Sequence, residues 1–175
     1  MSLIKTRQSD RKYLDKSVER EKIERCLEAA RLAPSASNSQ PWEFIIVEEP
    51  VLREKVAKAT YSDLITFNRF VPSAPVLVVL NTWKPSLHIA IGGVFKNRQY
   101  NLIDIGITAE HFCLQATEEG LGTCILGWFQ TRKIMKLLNI KAPKKPVLVI
   151  TLGYSGHTSI RDKKRKSIDE IRKYV

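Results

Sequence analysis

Three cysteines, Cys26, Cys113 and Cys124, are all that the 175 residues contain, at wide spacing and with no Cys-x-x-Cys pair. An odd, scattered set of this kind excludes a disulfide framework and carries no iron–sulfur or zinc signature. His88, His111 and His157 lack metal-ligand spacing, and Glu110-His111 has no second histidine to complete a zinc-binding helix. No Gly-x-Ser-x-Gly elbow is present for a hydrolase nucleophile. Gly120-Leu121-Gly122 follows a helical pattern instead of a strand and has no third glycine, which removes the dinucleotide fingerprint. No apolar run approaches the roughly 18 to 20 residues that cross a bilayer. The longest, Pro75–Leu80 and Val147–Leu152, have strand length. Lys5 and Arg7 stand near the start without the apolar core of a signal peptide, so the cytoplasm is the expected location. An enzyme with this inventory would take its reactivity from a cofactor.

What is present is an ordinary globular composition, 43% hydrophobic and 27% charged, in a chain long enough for one domain, residues 1–175, with a sizeable core. The charge is not ordinary. Lys plus Arg number 29 against 18 Asp plus Glu, a formal net charge of +11. Much of the excess lies in Arg161–Lys166 and Lys141–Lys145, and neither run interleaves an aromatic side chain. Without a stacking platform or a recognition helix, the excess reads as a surface for a small phosphate-bearing ligand rather than for nucleic acid.

The order of elements predicts helix, strand, helix, strand, long helix, strand, helix and strand. A short helix over Ser2–Thr6 leads into Arg7-Gln8-Ser9-Asp10-Arg11. In an extended backbone this spacing would turn Arg7, Ser9 and Arg11 to one side, towards a common ligand, although a solvated basic loop accounts for the same residues. Ile23, Cys26, Leu27 and Ala30 mark an amphipathic helix over Val18–Ala33, with Ser17 as its cap. Phe44–Val47 reads as a strand buried on both faces, and Pro50 as the first turn of a helix to about Ala59. Pro75–Leu80 is a second buried strand, whereas Trp83–Asn101 has no readable pattern and the length of a flap. Asn101–Glu119 is the strongest helix, with Gly120 placed to close it, and its wide apolar stripe suits a core or a dimer interface. Thr123–Leu126 is a short strand ended by Gly127, Thr131 caps the next helix, and Val147–Leu152 is the last core strand. Ile168, Ile171 and Val175 in the basic tail predict that part of it docks. Together these give one sheet layered by helices, an α+β fold.

The loop from Ala33 to Trp42, Ala-Pro-Ser-Ala-Ser-Asn-Ser-Gln-Pro-Trp, is too long for a plain turn. It resembles the Ala-Pro-Ser-x-x-Asn-x-Gln-Pro-Trp signature of the FMN-dependent nitroreductase family. The other motifs of that family occur in the same order: Arg-x-Ser-x-Arg, Asp104-x-Gly106, Gly120-Leu121-Gly122, Gly127 and a Lys-x-Arg tail. The resemblance runs from Arg7 to Arg165 with a gap over Trp83–Asn101. It implies a helix-flanked sheet in an intertwined homodimer, with one FMN per subunit in an interface cleft. By position, Arg7, Gln8 and Ser9 would hold the FMN phosphate and ribityl chain, and Arg11 would stand near the N1/O2 edge of the ring. Pro34, Ser35, Ala36 and Asn38 would form the loop that the second subunit lays against the ring. Leu126 and Gly127 would bring a backbone N–H towards flavin N5, and Lys163 and Arg165 would close on the phosphate. Asn68 is held out of the set for want of a clear spacing. Ser167 stands where the family often has a proline, which leaves the register of Lys163 against Lys164 open.

The implied activity is NAD(P)H-dependent, two-electron reduction of a small conjugated acceptor, such as a nitroaromatic or quinone, by a ping-pong cycle. Arginine suits the implied phosphate contacts because its paired N–H donors match an oxyanion. Two other readings are weighed beside it. One is a flavoprotein of this fold that dehalogenates its substrate or processes flavin. The other is a basic binding module without turnover.

Overall fold

The computed structural model describes residues 2–83 and 99–175. Most of the Trp83–Asn101 segment, read above as a flap, lies outside the described residues. Helix α1 spans Ser2–Thr6, and helix α2 spans Arg20–Arg31. Strand β1 is Trp42–Val47, helix α3 Pro50–Lys58 and strand β2 Val76–Thr82. Helix α4 is Tyr100–Glu118, strand β3 Gly122–Leu126, helix α5 Thr131–Leu137, strand β4 Lys145–Gly153 and helix α6 Ile168–Ile171.

The four strands form one antiparallel sheet in the order β1–β2–β4–β3. Strand β2 is central and buried throughout, as a continuous apolar run requires. Val76, Val78 and Leu80 face the helices α2 and α4, where they meet Ile23, Cys26, Phe112 and Ala116. Leu77 and Val79 face the opposite layer, with Val56, Val71, Ile134 and Val149. Each Val, Leu, Ile or Phe among them contributes about 1.5–3 kcal/mol by leaving water, so the sheet is held from both sides. Strand β1 departs from its expected double burial. Only Val47 is fully buried and the rest are half-covered, because β1 is an edge strand with one neighbour.

Helix ends also differ in detail. Glu19, not Ser17, occupies the N-cap position of α2, and its carboxylate makes no cap bond. It accepts instead from the Tyr154 hydroxyl at 2.7 Å, an anchor to the end of β4. Thr131 is the first residue of α5, and Gln130 takes the cap position. Pro50 and Gly120 fall where expected. Gly120 has φ +75°, and the Gly120 and Leu121 N–H groups return to Thr117 O and Ala116 O at 3.1 and 2.8 Å. That pair of bonds is the Schellman ending that a left-handed glycine permits. Part of the tail docks, through residues 161–163, but not through the apolar residues that suggested it: Ile168, Ile171 and Val175 are exposed, and α6 is held by its own Ser167–Glu170 capping box.

Candidate functional site: a cationic cleft at the sheet edge

Strand β3 would leave an open edge, and the N-terminal segment covers it. Ser9 bridges Thr123 in parallel register, and the Asp10 N–H donates to Thr123 O at 2.8 Å. Tyr13 bridges Ser155 beyond β4, and the Leu14 N–H donates to Tyr154 O at 2.9 Å. Edge strands are commonly blunted in this way. Here the blunting segment is the one that carries Arg7, Gln8, Ser9 and Arg11. Asp10 fixes its register from beneath. Its carboxylate is 4% exposed and packs so closely that a Cβ on Gly122 would lie 2.5 Å from Oδ2. Asp10 Oδ1 accepts from Ser155 Oγ at 2.8 Å and from Gln8 Nε2 at 3.2 Å. The Tyr13 hydroxyl donates to Asp10 O at 2.9 Å and shares a 2.6 Å bond with Thr151. Burial pushes the Tyr13 hydroxyl pKa far above its usual range, so this tie stays neutral.

The C-terminal segment returns to the same place. A cleft of about 340 Å³ is lined by Arg7, Gln8, Ser9 and Arg11 on one side and by residues 161–165 on the other. Arg161 clamps the two walls: its N–H donates to Gln8 Oε1 at 3.1 Å and its guanidinium to Ser9 O at 2.9 Å. Lys163 directs its ammonium into the end of α1, donating to Ile4 O at 3.0 Å and to Lys5 O. It therefore anchors the tail, and Lys164 and Arg165 stand beside it at the cleft. The lining holds six cations, Arg7, Arg11, Arg161, Lys163, Lys164 and Arg165, against one carboxylate, Asp162. An imbalance of this size in a concave site selects an anion. Arg7 adds a more specific sign. Its side chain is only 18% exposed, its guanidinium lies 3.8 Å from the Glu110 carboxylate, and its buried Nε has no hydrogen-bond partner among the described residues. An unsatisfied buried donor costs stability unless a ligand meets it. A phosphate group fits this donor set.

The two nearby thiols are not poised as nucleophiles. Burial pushes the Cys113 and Cys124 thiols up, away from the reactive thiolate form. Among the described residues no cluster of His, Cys, Asp and Glu could hold a metal ion.

Of the residues singled out in the sequence, Arg7, Gln8, Ser9, Arg11, Lys163 and Arg165 are brought together. Leu126 and Gly127 end β3, the strand whose start carries this segment. Leu126 is a buried core side chain, so only its backbone can serve a ligand, whereas a Cβ on Gly127 would meet open space. Pro34, Ser35, Ala36 and Asn38 do not line this cleft in their own chain. They lie on a separate loop with a 3-10 turn at Ala36–Asn38, tied to α4 through Ala36 N–H and Asp104 Oδ1 at 3.1 Å. Asn68 is buried and structural, donating to Thr60 O at 2.9 Å and to Trp128 O at 3.3 Å. Sequence reasoning assigned no site role to Arg161 or Asp10, and Gly122 stood out only as part of the Gly120-Leu121-Gly122 motif. Arg161 was discoverable, since Arg161, Lys163 and Arg165 alternate as an extended segment requires.

The fold is α+β, and its N-terminal and C-terminal segments together line a cationic cleft. A sequence model described as "Nitroreductase family" matches residues 4–154. The chain belongs to that family, and so to the oxidoreductases. An Archaeoglobus fulgidus protein, whose assigned name pairs NADH dehydrogenase with NAD(P)H nitroreductase, is 32% identical over 160 residues, covering 88% of this chain and 84% of its own. The crystal structure of a nitroreductase family protein from Streptococcus pneumoniae TIGR4 superposes with a TM-score of 0.84 at 28% identity, over 99% of this chain and 98% of the other. An FMN-dependent nitroreductase from Clostridium difficile R20291 superposes with a TM-score of 0.73 at 27% identity, over 96% and 92% of the two chains. Among the described residues no helix is long and apolar enough to cross a membrane.

Proposed function

We propose that the chain is an FMN-dependent oxidoreductase that uses NAD(P)H to reduce a small conjugated acceptor, such as a nitroaromatic or quinone. It would act in the cytoplasm as a homodimer of single FMN-binding domains, each spanning residues 1–175, without nucleic acid or membrane partners. The observation that carries this reading is the cleft lined by six cations against one carboxylate, a space fit for a phosphate. The names of the Archaeoglobus and Clostridium relatives support the nicotinamide and the flavin in turn.

In this reading Arg7 and Arg165 hold the FMN phosphate, and Lys163 fixes the tail that brings Arg165 to it. Gln8 and Ser9 receive the ribityl chain. Arg11 supplies a fixed positive charge, which raises the electron affinity of any group bound beside it. The backbone at Leu126 and Gly127 orients the ring, with no side chain at Gly127 to intrude. Pro34, Ser35, Ala36 and Asn38 reach the cleft from the second subunit. When bound, FMN would accept a hydride from the nicotinamide and pass two electrons to the acceptor in a ping-pong cycle. The homodimer is supported by apolar surface that one chain leaves uncovered. Leu102 and Ile103 are 43% and 54% exposed on α4. Beside them Gly106 has no atom within 4 Å of a would-be Cβ. A glycine inside a helix costs about 0.5–1 kcal/mol against alanine, and nothing among the described residues requires this one.

The deciding measurement is the absorbance spectrum of the purified protein, repeated anaerobically with NADPH, on material sized by sedimentation. A yellow dimer that bleaches supports the whole reading. A yellow protein that does not bleach removes the nicotinamide step, and a colourless one that refuses added FMN overturns the site.

A further inference from the structure

We infer that Asp104 is a positioning residue that acts across the dimer, holding the Ser35–Asn38 loop of its own chain in the shape that completes the cleft of the second copy. This rests on the FMN-dimer reading above. Asp104 lies near the start of α4 and is 3% exposed. Its Oδ1 accepts the Ala36 N–H at 3.1 Å, while its buried Oδ2 has no partner among the described residues. One turn further along α4, the Thr108 hydroxyl donates to Ala30 O at 2.7 Å, at the end of α2. One face of α4 therefore grips both the helix that leads into the loop and the loop itself.

The loop needs that grip. Ser37, Asn38 and Gln40 have φ of 51°, 52° and 45°, a left-handed cluster of non-glycine residues. Such conformations persist where surrounding bonds impose them, and they gather at functional sites. The local bonds, Gln40 N–H to Ser35 Oγ at 2.9 Å and Gln40 Nε2 to Asn38 Oδ1 at 3.1 Å, shape the loop internally. The Asp104 bond attaches it to a helix. A turn that merely needed one acceptor would be served by a neutral side chain. A buried acid side chain with one oxygen unpaired among the described residues costs stability, which argues for a function that offsets it. The loop does not line the cleft of its own chain. On the dimer reading above, its influence on a bound flavin falls on the other subunit.

The test is a mixed dimer. Asp104→Ala and Arg165→Ala subunits carrying different tags are co-expressed, the heterodimer is isolated, and bound FMN is counted after gel filtration. Each homodimer variant should bind FMN at least tenfold more weakly than wild type. In the heterodimer, one cleft combines an intact phosphate site with an intact loop, so one FMN per dimer should bind with wild-type affinity. Loss of both sites in the heterodimer would show that Asp104 acts within its own chain and would overturn the inference. Wild-type FMN affinity in the Asp104→Ala homodimer would do the same. Asp104→Asn keeps an oxygen for Ala36 and should stay within about threefold of wild type. A loss equal to that of alanine would assign the effect to charge and reject positioning. Should Asp104→Ala fail to fold, Ala36→Pro removes the donor instead. Ser35 is already extended there (φ −144°, ψ 156°), as a residue before proline should be. It should show the same weakened homodimer and the same rescue with Arg165→Ala, and wild-type affinity in it would again reject the inference. A wild-type protein that is monomeric or takes no FMN would fail the reading beneath, before Asp104 is tested.

Discussion

Gln8 and Arg161, 153 positions apart, are joined directly: Gln8 Oε1 accepts the Arg161 N–H at 3.1 Å. Gln8 Nε2 reaches the other way to Asp10 Oδ1 at 3.2 Å, an oxygen that also accepts from Ser155 Oγ. Both walls of the cleft thus hang from one buried carboxylate at the end of the sheet. Gln8→Leu removes the link and leaves Asp10 its bond to Ser155. A net hydrogen bond is worth about 1 kcal/mol, and Gln8 supplies more than one, so FMN dissociation constants should rise roughly tenfold. The melting temperature of the flavin-free protein should move little. Unchanged affinity by flavin fluorescence titration would show that the tail is held without Gln8.

Gly122 is required by contact rather than by backbone angle. A methyl group there would lie 2.5 Å from Asp10 Oδ2 and 2.8 Å from its carboxyl carbon, in a buried place. Gly122→Ala must displace Asp10, and overpacking of this kind costs about 1–3 kcal/mol. Urea unfolding should show that loss, and FMN affinity should fall with it because Arg7, Gln8 and Ser9 ride on the same segment. A variant as stable as the parent would mean that Asp10 can move freely.

The helices and central strands were readable because they bury periodic apolar faces. Ile23, Cys26 and Ala30 and the run Val76–Leu80 sit where their patterns place them. The exposure of β1 was not readable, since an apolar run does not disclose that its strand lies at a sheet edge. Glu19 could not be assigned to Tyr154 from sequence, because the pair meets only after β4 folds back on α2. Among the site residues, Arg7 and Arg165 were visible as motif positions. Arg161 was read as part of a charge run, and Asp10 as a spacer. Their roles come from Thr123, Ser155 and Gln8, long-range partners that no local pattern contains.

The Glu119 carboxylate closes the turn after α4 by pairing with Arg25 of α2. Arg25 Nε and Nη2 donate to Oε1 and Oε2, each at 2.7 Å, and Gln115 Nε2 adds a bond at 2.9 Å. The Arg25 bonds, helped by Gln115, hold the carboxyl well below its usual value of 4.5, at about 2. On acidification the unfolded chain therefore takes up this proton first. The pair's contribution is present in full above pH 4.5 and is lost as pH falls through about 2. Arg25→Ala should lower the melting temperature at pH 7 and flatten its decline across that window. Parallel melting curves for the two proteins from pH 7 to pH 2 would show that the pair is fully screened.

Arg165 and Arg172 are both exposed tail arginines, and the proposed site distinguishes them. Arg165 lines the cleft and spends one donor on Lys164 O at 2.8 Å, while Arg172 pairs with Asp169 within α6 and lies outside the lining. A charge-assisted bond to a phosphate is worth about 1.5–3 kcal/mol, so Arg165→Ala should weaken FMN binding by about tenfold or more. Arg172→Ala should stay within about twofold, on the usual small worth of a surface ion pair. Salt supplies a control that side-chain loss alone does not. Partly buried cations are screened less than exposed ones, so affinity carried by Arg7 should survive high ionic strength while the Arg165 share declines. The ratio between wild type and Arg165→Ala should therefore shrink as salt rises, and the ratio for Arg172→Ala should stay flat. Equal retention of FMN in both variants would remove Arg165 from the phosphate and leave Arg7, with its buried Nε unpaired among the described residues, as the anchor to test next.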